Sequence, residues 1–222
     1  MRLDSILLLT TAGQIHDALV KAPVGVDHVY KETIDRIKNL SRDVASPVGL
    51  RAISWIHAAK RPLSDEELRT ALACEQMMEC RAENWTKEGI LSFTPTVAAI
   101  VTACIGLVVH HAMTETFAFS HVTVKEYLDI SKNVLPPDVD KNISRVCLQY
   151  LSLVPKPQHY FSCELFMYAS CHWYEHVRDE TEGSELSDLW KPMLRSSNSQ
   201  DESGLWLQCH WLHSPQSVVE TA

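Results

Sequence analysis

A mostly α-helical fold with one short β-hairpin is what this 222-residue sequence predicts. Three features carry that expectation. Over residues 50–128 the chain reads as helix, tight turn, helix, apolar helix and hairpin, the layout of a winged helix. The tetrapeptide Ser64-Asp65-Glu66-Glu67 is a capping signal that sets where the second of those helices starts. Outside that stretch apolar residues recur at helical spacing, so the whole is expected to be a helical bundle holding a winged-helix domain.

The elements follow in chain order. Ile6, Leu7, Leu9, Ile15, Ala18 and Leu19 suit helices broken near Gly13, and Pro23 with Gly25 marks a turn. Asp27 is expected to cap the next helix, which places Tyr30, Ile34 and Ile37 along one face. Pro47 then sits in the first turn of a helix reaching Ala59, where a missing N–H costs little, with Leu50, Ile53, Trp55 and Ile56 apolar.

Lys60 and Arg61 follow at the negative pole of that helix, and Pro62 stops it. Ser64 is placed to cap the Glu67 amide while the Glu67 carboxylate reaches back. Leu63 and Leu68 form a hydrophobic staple around the cap, and Leu68, Ala71 and Leu72 make the buried face. A third helix is expected over 95–104, capped by Thr94 with Pro95 at its first position and ended by Gly106. Strands at 107–111 and 116–119 make the hairpin, and 124–130 returns to helix. The core is expected to gather Trp55, Ile56, Leu68, Leu72, Ile100 and Phe119. A helix over 146–153, a turn at Pro155 and Pro157, and an aromatic helix over 161–177 come next. From 178 to 204 the chain turns polar and rich in Ser, Asp and Glu, the composition of a linker.

Composition narrows the function class. A net charge of -8 steers the chain away from polyanions, which disfavours a nucleic-acid coat or an anionic membrane surface. The cysteines, at 74, 80, 104, 147, 163, 171 and 209, are odd in number and lack a C-x-x-C pair, so reduced thiols in a cytosolic protein are expected. Residues 89–114 contain no Asp, Glu, Lys or Arg and are long enough to span a bilayer. Pro95, hydroxyl residues and the pair His110-His111 dilute that run, which reads instead as buried helix and strand.

Catalytic and metal constellations are thin. Cys171, His172, Glu175 and His176 crowd one helical turn, but zinc needs three or four converging ligands, and histidines edging an amphipathic helix explain the cluster as well. Cys209, His210 and His213 pose the same choice. Ser120-His121, read as strand neighbours, would point to opposite faces and cannot form a nucleophile–base pair, and no G-x-S-x-G elbow exists. No catalytic residue, cofactor or metal ligand is therefore assigned. A DNA-reading winged helix needs cations on its third helix and wing. No Lys or Arg occurs between Lys87 and Lys125, and the hairpin turn carries Glu115, so a protein partner is expected rather than nucleic acid or membrane.

Several motifs in sequence order resemble a known family. Residues 3–6, 15–19 and 26–37 resemble the end of the NACHT module of fungal NOD-like receptors, which are signal-transduction ATPases. Trp55, Arg61, Pro62, Leu63, Ser64, Glu67, Leu68 and Leu72 are similar to a signature of the winged-helix domain that follows it, a domain named after one in GPI inositol-deacylase. Phe119, His121, Glu126, Tyr127 and Leu128 belong to a segment similar to the one after the family's wing, and Tyr168, Trp173 and His176 resemble a later helix. The resemblance implies a helical tail of a NACHT-like module over 1–45, a winged-helix domain over 46–135 and a helical extension over 136–180. Residues 181–222 would be a polar linker or the start of a repeat region. It implies a non-catalytic module relaying state between a nucleotide-binding module and sensor repeats. A winged-helix DNA-binding regulator and a small hydrolase are the alternatives.

The phosphate loop of such ATPases, G-x-x-x-x-G-K-[ST], does not occur in this sequence. The purified chain is therefore expected neither to bind nor to hydrolyse ATP, because it lacks that cradle of amides and its lysine. Saturable micromolar binding in a calorimetric titration would refute this.

Overall fold

The structure, a computed structural model, describes residues 26–43, 48–83, 85–131, 134–153 and 165–177. The helices expected within 6–19, the turn at Pro155 and Pro157, the polar stretch and the cluster of Cys209, His210 and His213 lie outside the described residues. The chain is mostly helical with a two-stranded antiparallel hairpin. In order come α1 (Val26–Asp43), α2 (Val48–Ala58), α3 (Asp65–Glu79), α4 (Lys87–Phe93), α5 (Val97–Ala103), β1 (Val108–His111), β2 (Thr116–Phe119), α6 (Val122–Ile130), α7 (Val139–Leu153) and α8 (Phe166–His172). A single 3-10 turn, Trp173–His176, closes the described chain.

The hairpin pairs Val108 with Phe119 and His111 with Thr116. Ser64, just before α3, forms an isolated antiparallel bridge with Thr116, so the loop between α2 and α3 adds a rudimentary third strand beside β2. Residue types explain the turns. Gly106 takes a φ of 80°, open to glycine without steric cost, and redirects the chain from α5 into β1. Glu115, with φ 50°, accepts that strained conformation at the end of the hairpin turn, and its carbonyl receives the Asp65 amide at 2.7 Å.

One apolar cluster runs through the layers. α1 contributes Ile34 and Ile37; α2 contributes Ala52, Ile53 and Trp55; α3 contributes Leu68, Leu72 and Met77. Ile100, Phe117, Leu128, Leu148 and Tyr168 extend it through α5, the hairpin, α6, α7 and α8. Of the six residues expected in the core, Trp55, Leu68, Leu72 and Ile100 are buried, while Ile56 and Phe119 pack at its edge. Phe117, not Phe119, is the buried aromatic of β2; two residues apart, they share one face of the strand, and Phe119, its last residue, is only partly buried.

Other boundaries differ from expectation for local reasons. Asp27 lies inside the first turn of α1, where its charge still suits the helix dipole, and does not precede it. An additional helix, α4, occupies part of the charge-free run, capped by Thr86, whose hydroxyl accepts the Gly89 amide at 3.2 Å. Thr94 therefore closes α4, donating its hydroxyl to the Ile90 carbonyl, and does not open the next helix. Thr96 caps α5 through the Ala99 amide. The intervening Pro95 presents its carbonyl to Arg69 Nε at 2.8 Å. α7 starts at Val139, earlier than the apolar pattern indicates.

Gly49 permits the closest helix approach. A Cβ there would lie 2.4 Å from the Ala103 carbonyl oxygen, so any side chain would push α2 off α5.

Two substitutions grade these contributions. Leu72→Ala removes a side chain 3% exposed and is expected to cost about 2–5 kcal/mol of unfolding free energy. Ser64→Ala, losing one cap bond, is expected to cost about 1 kcal/mol. Urea denaturation gives both values, and a reversed order would contradict this packing.

Candidate functional site

The start of α3 gathers most of the signature residues. Pro62 ends the extension from α2, and Leu63 and Leu68 are buried on either side of the cap. Ser64 Oγ accepts the Glu67 amide at 3.1 Å, and Glu67 Oε2 accepts the Ser64 amide at 2.9 Å. The two guanidinium nitrogens of Arg61 donate to both oxygens of the same carboxylate at 2.7 and 2.6 Å. Arg61 is thus not merely a cation at a helix end, as expected from sequence; it forms a fork with a carboxylate that is 6% exposed. Its guanidinium also lies 5.3 Å from the centre of the Tyr168 ring on α8.

Tyr168 begins a polar relay that runs from the core to the exposed Asp140 carboxylate. The Lys60 amide donates to its hydroxyl at 3.2 Å, and the hydroxyl lies 2.8 Å from His176 Nε2. His176 Nδ1 lies 2.6 Å from Asp140 Oδ1, which also accepts from Lys60 Nζ at 3.1 Å. The carboxylate can only accept, so Nδ1 carries the proton and Nε2 takes the tyrosine proton. Every polar atom of the ring is then satisfied with His176 neutral. Burial pushes the His176 imidazole below its ordinary value, a shift that the Asp140 bond partly opposes. The bond to His176 in turn holds the Asp140 carboxyl below its ordinary value. A cleft of about 480 Å³ opens beside this relay, between the end of α2, the segment leading into α7 and the 3-10 turn. His57, Lys60, Pro136, Asp140, Glu175 and Val177 are among the residues that line it.

This geometry separates the candidate metal cluster. His176 turns inward to Tyr168 and Asp140, while His172 pairs with Glu175 at 2.7 Å. Among the described residues no three His, Cys, Asp or Glu side chains are placed to hold a metal ion. Sequence reading grouped these residues by helical periodicity, but the chain tightens into the 3-10 turn at Trp173, which rotates His176 inward.

The Asp–His–hydroxyl order of the relay has the connectivity of an acyl-transfer triad, yet its hydroxyl belongs to a tyrosine buried by α2 and α7. Burial raises the Tyr168 phenol above its ordinary value, opposite to what an activated nucleophile needs. Burial likewise raises the Cys104 thiol, to about 12.

Ser120 and His121 do not sit in a strand, as assumed from sequence, but in the bend after β2. His121 caps α6, its Nδ1 accepting the Thr123 amide at 3.2 Å. Thr123 Oγ1 reaches Tyr30 at 2.6 Å, and the Tyr30 and Tyr127 rings lie 5.6 Å apart, joining α1 to α6. Tyr127 and Leu128 are buried, whereas Glu126 faces solvent. A second buried network escaped sequence reading altogether. Trp55 Nε1 and Asn142 Nδ2 donate to Glu75, while Arg51 pairs with Glu79 and Gln76. Its partners come from α2, α3 and α7, and no local spacing links them.

The solvent side of α4 and α5 has a different character. Leu91 is 57% exposed and Phe93 is 38% exposed, and Ala98, Ala99 and Thr102 are exposed on α5. At the hairpin turn Met113 is 96% exposed. No ionic side chain interrupts residues 89–114. Among the described residues no helix is long and apolar enough to cross a membrane.

No protein-family model matches the chain, and no curated protein or solved structure is significantly similar to it.

Tyr168→Phe leaves the Lys60 amide and His176 Nε2 unpaired in a buried setting and is expected to cost about 1–3 kcal/mol. Glu175→Gln alters only a half-exposed pair and should stay within about 0.5 kcal/mol. Denaturation midpoints compare the two, and a larger loss for Glu175→Gln would mean that the relay contributes nothing.

Proposed function

We propose that this chain is a non-catalytic interaction module of the kind found in fungal NOD-like receptors, acting in the cytoplasm on protein partners. It would relay state between a nucleotide-binding module of NACHT type and sensor repeats. The observation that carries this reading is the uncharged outer side of residues 89–103, from the part of α4 after Glu88 to the end of α5, which lacks Lys and Arg where a DNA-reading helix needs them. A surface without cations gains nothing from phosphate, while Leu91 and Phe93 gain from apolar contact with protein. Helix–bridge–helix–helix–helix–hairpin order, a winged-helix layout with α4 as an added helix, supports that part of the reading. Its partner would be the nucleotide-binding module of such a receptor, in keeping with the sequence resemblance.

The test pairs this chain with a separately produced NACHT module from a receptor of that architecture. Co-elution in size-exclusion chromatography is expected for the natural sequence, and Ala98→Lys with Thr102→Lys should abolish it while leaving the melting temperature unchanged. No co-elution, or co-elution indifferent to the lysines, refutes the reading. In mobility-shift assays at physiological salt no specific DNA complex is expected; a nanomolar, sequence-dependent shift would favour the DNA-binding alternative instead.

A further inference from the structure

We propose that α8 and its 3-10 turn form an acid-released latch, in which protonation of His176 undocks residues 165–177 from α2 and α7 while the hairpin stays seated. The inference rests on proton counting in the relay and is independent of the proposed partner. Neutral His176 accepts the Tyr168 proton at Nε2 and donates Nδ1–H to Asp140. A second ring proton, on Nε2, would face the Tyr168 hydroxyl, whose proton then loses its acceptor inside the core. Lys60 from the end of α2, Asp140 from α7, Tyr168 from α8 and Glu175 from the turn itself are the ionisable groups that act on His176. Lys60 already occupies Asp140, so the carboxylate is not free to compensate fully for a new cation.

The direction of the pH effect follows from the shifts. His176 is depressed in the folded state, chiefly by burial, so the folded chain favours the neutral ring. Its contribution is full above the unfolded histidine value of 6.5 and falls as the pH drops below it. Asp140 is also depressed, so its contribution is lost only at lower pH, below the unfolded value of 3.8. The mildly acid range therefore belongs to His176.

The hairpin shares none of these bonds. The relay joins Lys60, Asp140, Tyr168 and His176, and none of its members lies in residues 108–119, so its loss leaves the hairpin seated. Release of the turn would also remove Glu175, His176 and Val177 from the wall of the cleft beside α2.

Hydrogen exchange with mass-spectrometric readout on the full chain at pH 7.5 and 5.5, corrected for intrinsic exchange rates, tests the latch. Protection over 165–177 is expected to fall several-fold, up to roughly tenfold, since the unfolded histidine titrates at 6.5 and one proton gives at most a decade per pH unit below that. Protection over 108–119 should not fall. An unchanged 165–177, or an equal loss in both segments, overturns the proposal. In His176→Gln the pH dependence of 165–177 should vanish, and its persistence also overturns it. Imidazole ¹⁵N spectra of the natural sequence decide the matter even if that variant fails to fold. His176 should be neutral with its proton on Nδ1 at pH 7.5, and an imidazolium there refutes the latch.

Discussion

Glu67 is the residue on which the arrangement turns. A carboxylate 6% exposed is costly to bury alone, yet this one receives the Ser64 amide and both arms of Arg61. Those bonds fix three things together: where α3 begins, how the chain leaves α2, and where Arg61 lies against Tyr168 of α8. Beside it the Asp65 amide reaches the Glu115 carbonyl, and Ser64 bridges Thr116. The first turn of α3 is therefore the joint at which the hairpin, α2 and α8 are set relative to each other. Removing Arg61 would leave the buried carboxylate with only the Ser64 amide to answer its charge.

Two further carboxylates organise the polar contacts between helices, one inside the core and one at its surface. Glu75 gathers Trp55 and Asn142, and Asp140 gathers Lys60 and His176. Each joins elements distant in sequence through bonds that need specific angles, whereas the apolar cluster between them tolerates many shapes. Burial raises the Glu75 carboxyl above its ordinary value, with the bond from Trp55 opposing the shift, so that site is costly as well as specific. Division of labour results: apolar contacts hold the helices together, and the two acids, Glu75 inside the core and Asp140 at its exposed edge, select one register among the packings that apolar contact alone would allow.

How much of this could be read from the chain depended on the range of each interaction. The capping box at Ser64 and Glu67, the hairpin pairing and the left-handed Gly106 are local rules, and each was legible. α4 was hidden because Gly89 and Ser92 weaken its helical signal and its apolar residues merge with those of α5. With α4 unseen, Thr94-Pro95 looked like a helix start, though Thr96 is the cap. The role of Arg61 was half legible, since its place after α2 suggested a helix pole and nothing in the spacing distinguished that from a fork to Glu67. The relay of Tyr168, His176 and Asp140 was not legible at all, because 36 residues separate the histidine from its acid and only the tertiary fold closes that distance.

Gly49 carries a consequence for how such a scaffold can change its occupation. α5 is seated by its inward Ile100 and by a backbone contact, the absent side chain of Gly49 lying beneath the Ala103 carbonyl. The inner seat of α5 is therefore indifferent to what the helix presents outward at Ala98, Ala99 and Thr102. Chemistry on that outer row can be rewritten, from apolar to cationic or back, without moving the helix that carries it. A change at Gly49 does the reverse, shifting the helix while leaving every outward side chain intact. Geometry and recognition are thus encoded at separate addresses, which makes the outer row a place where new specificity can be installed by substitution alone.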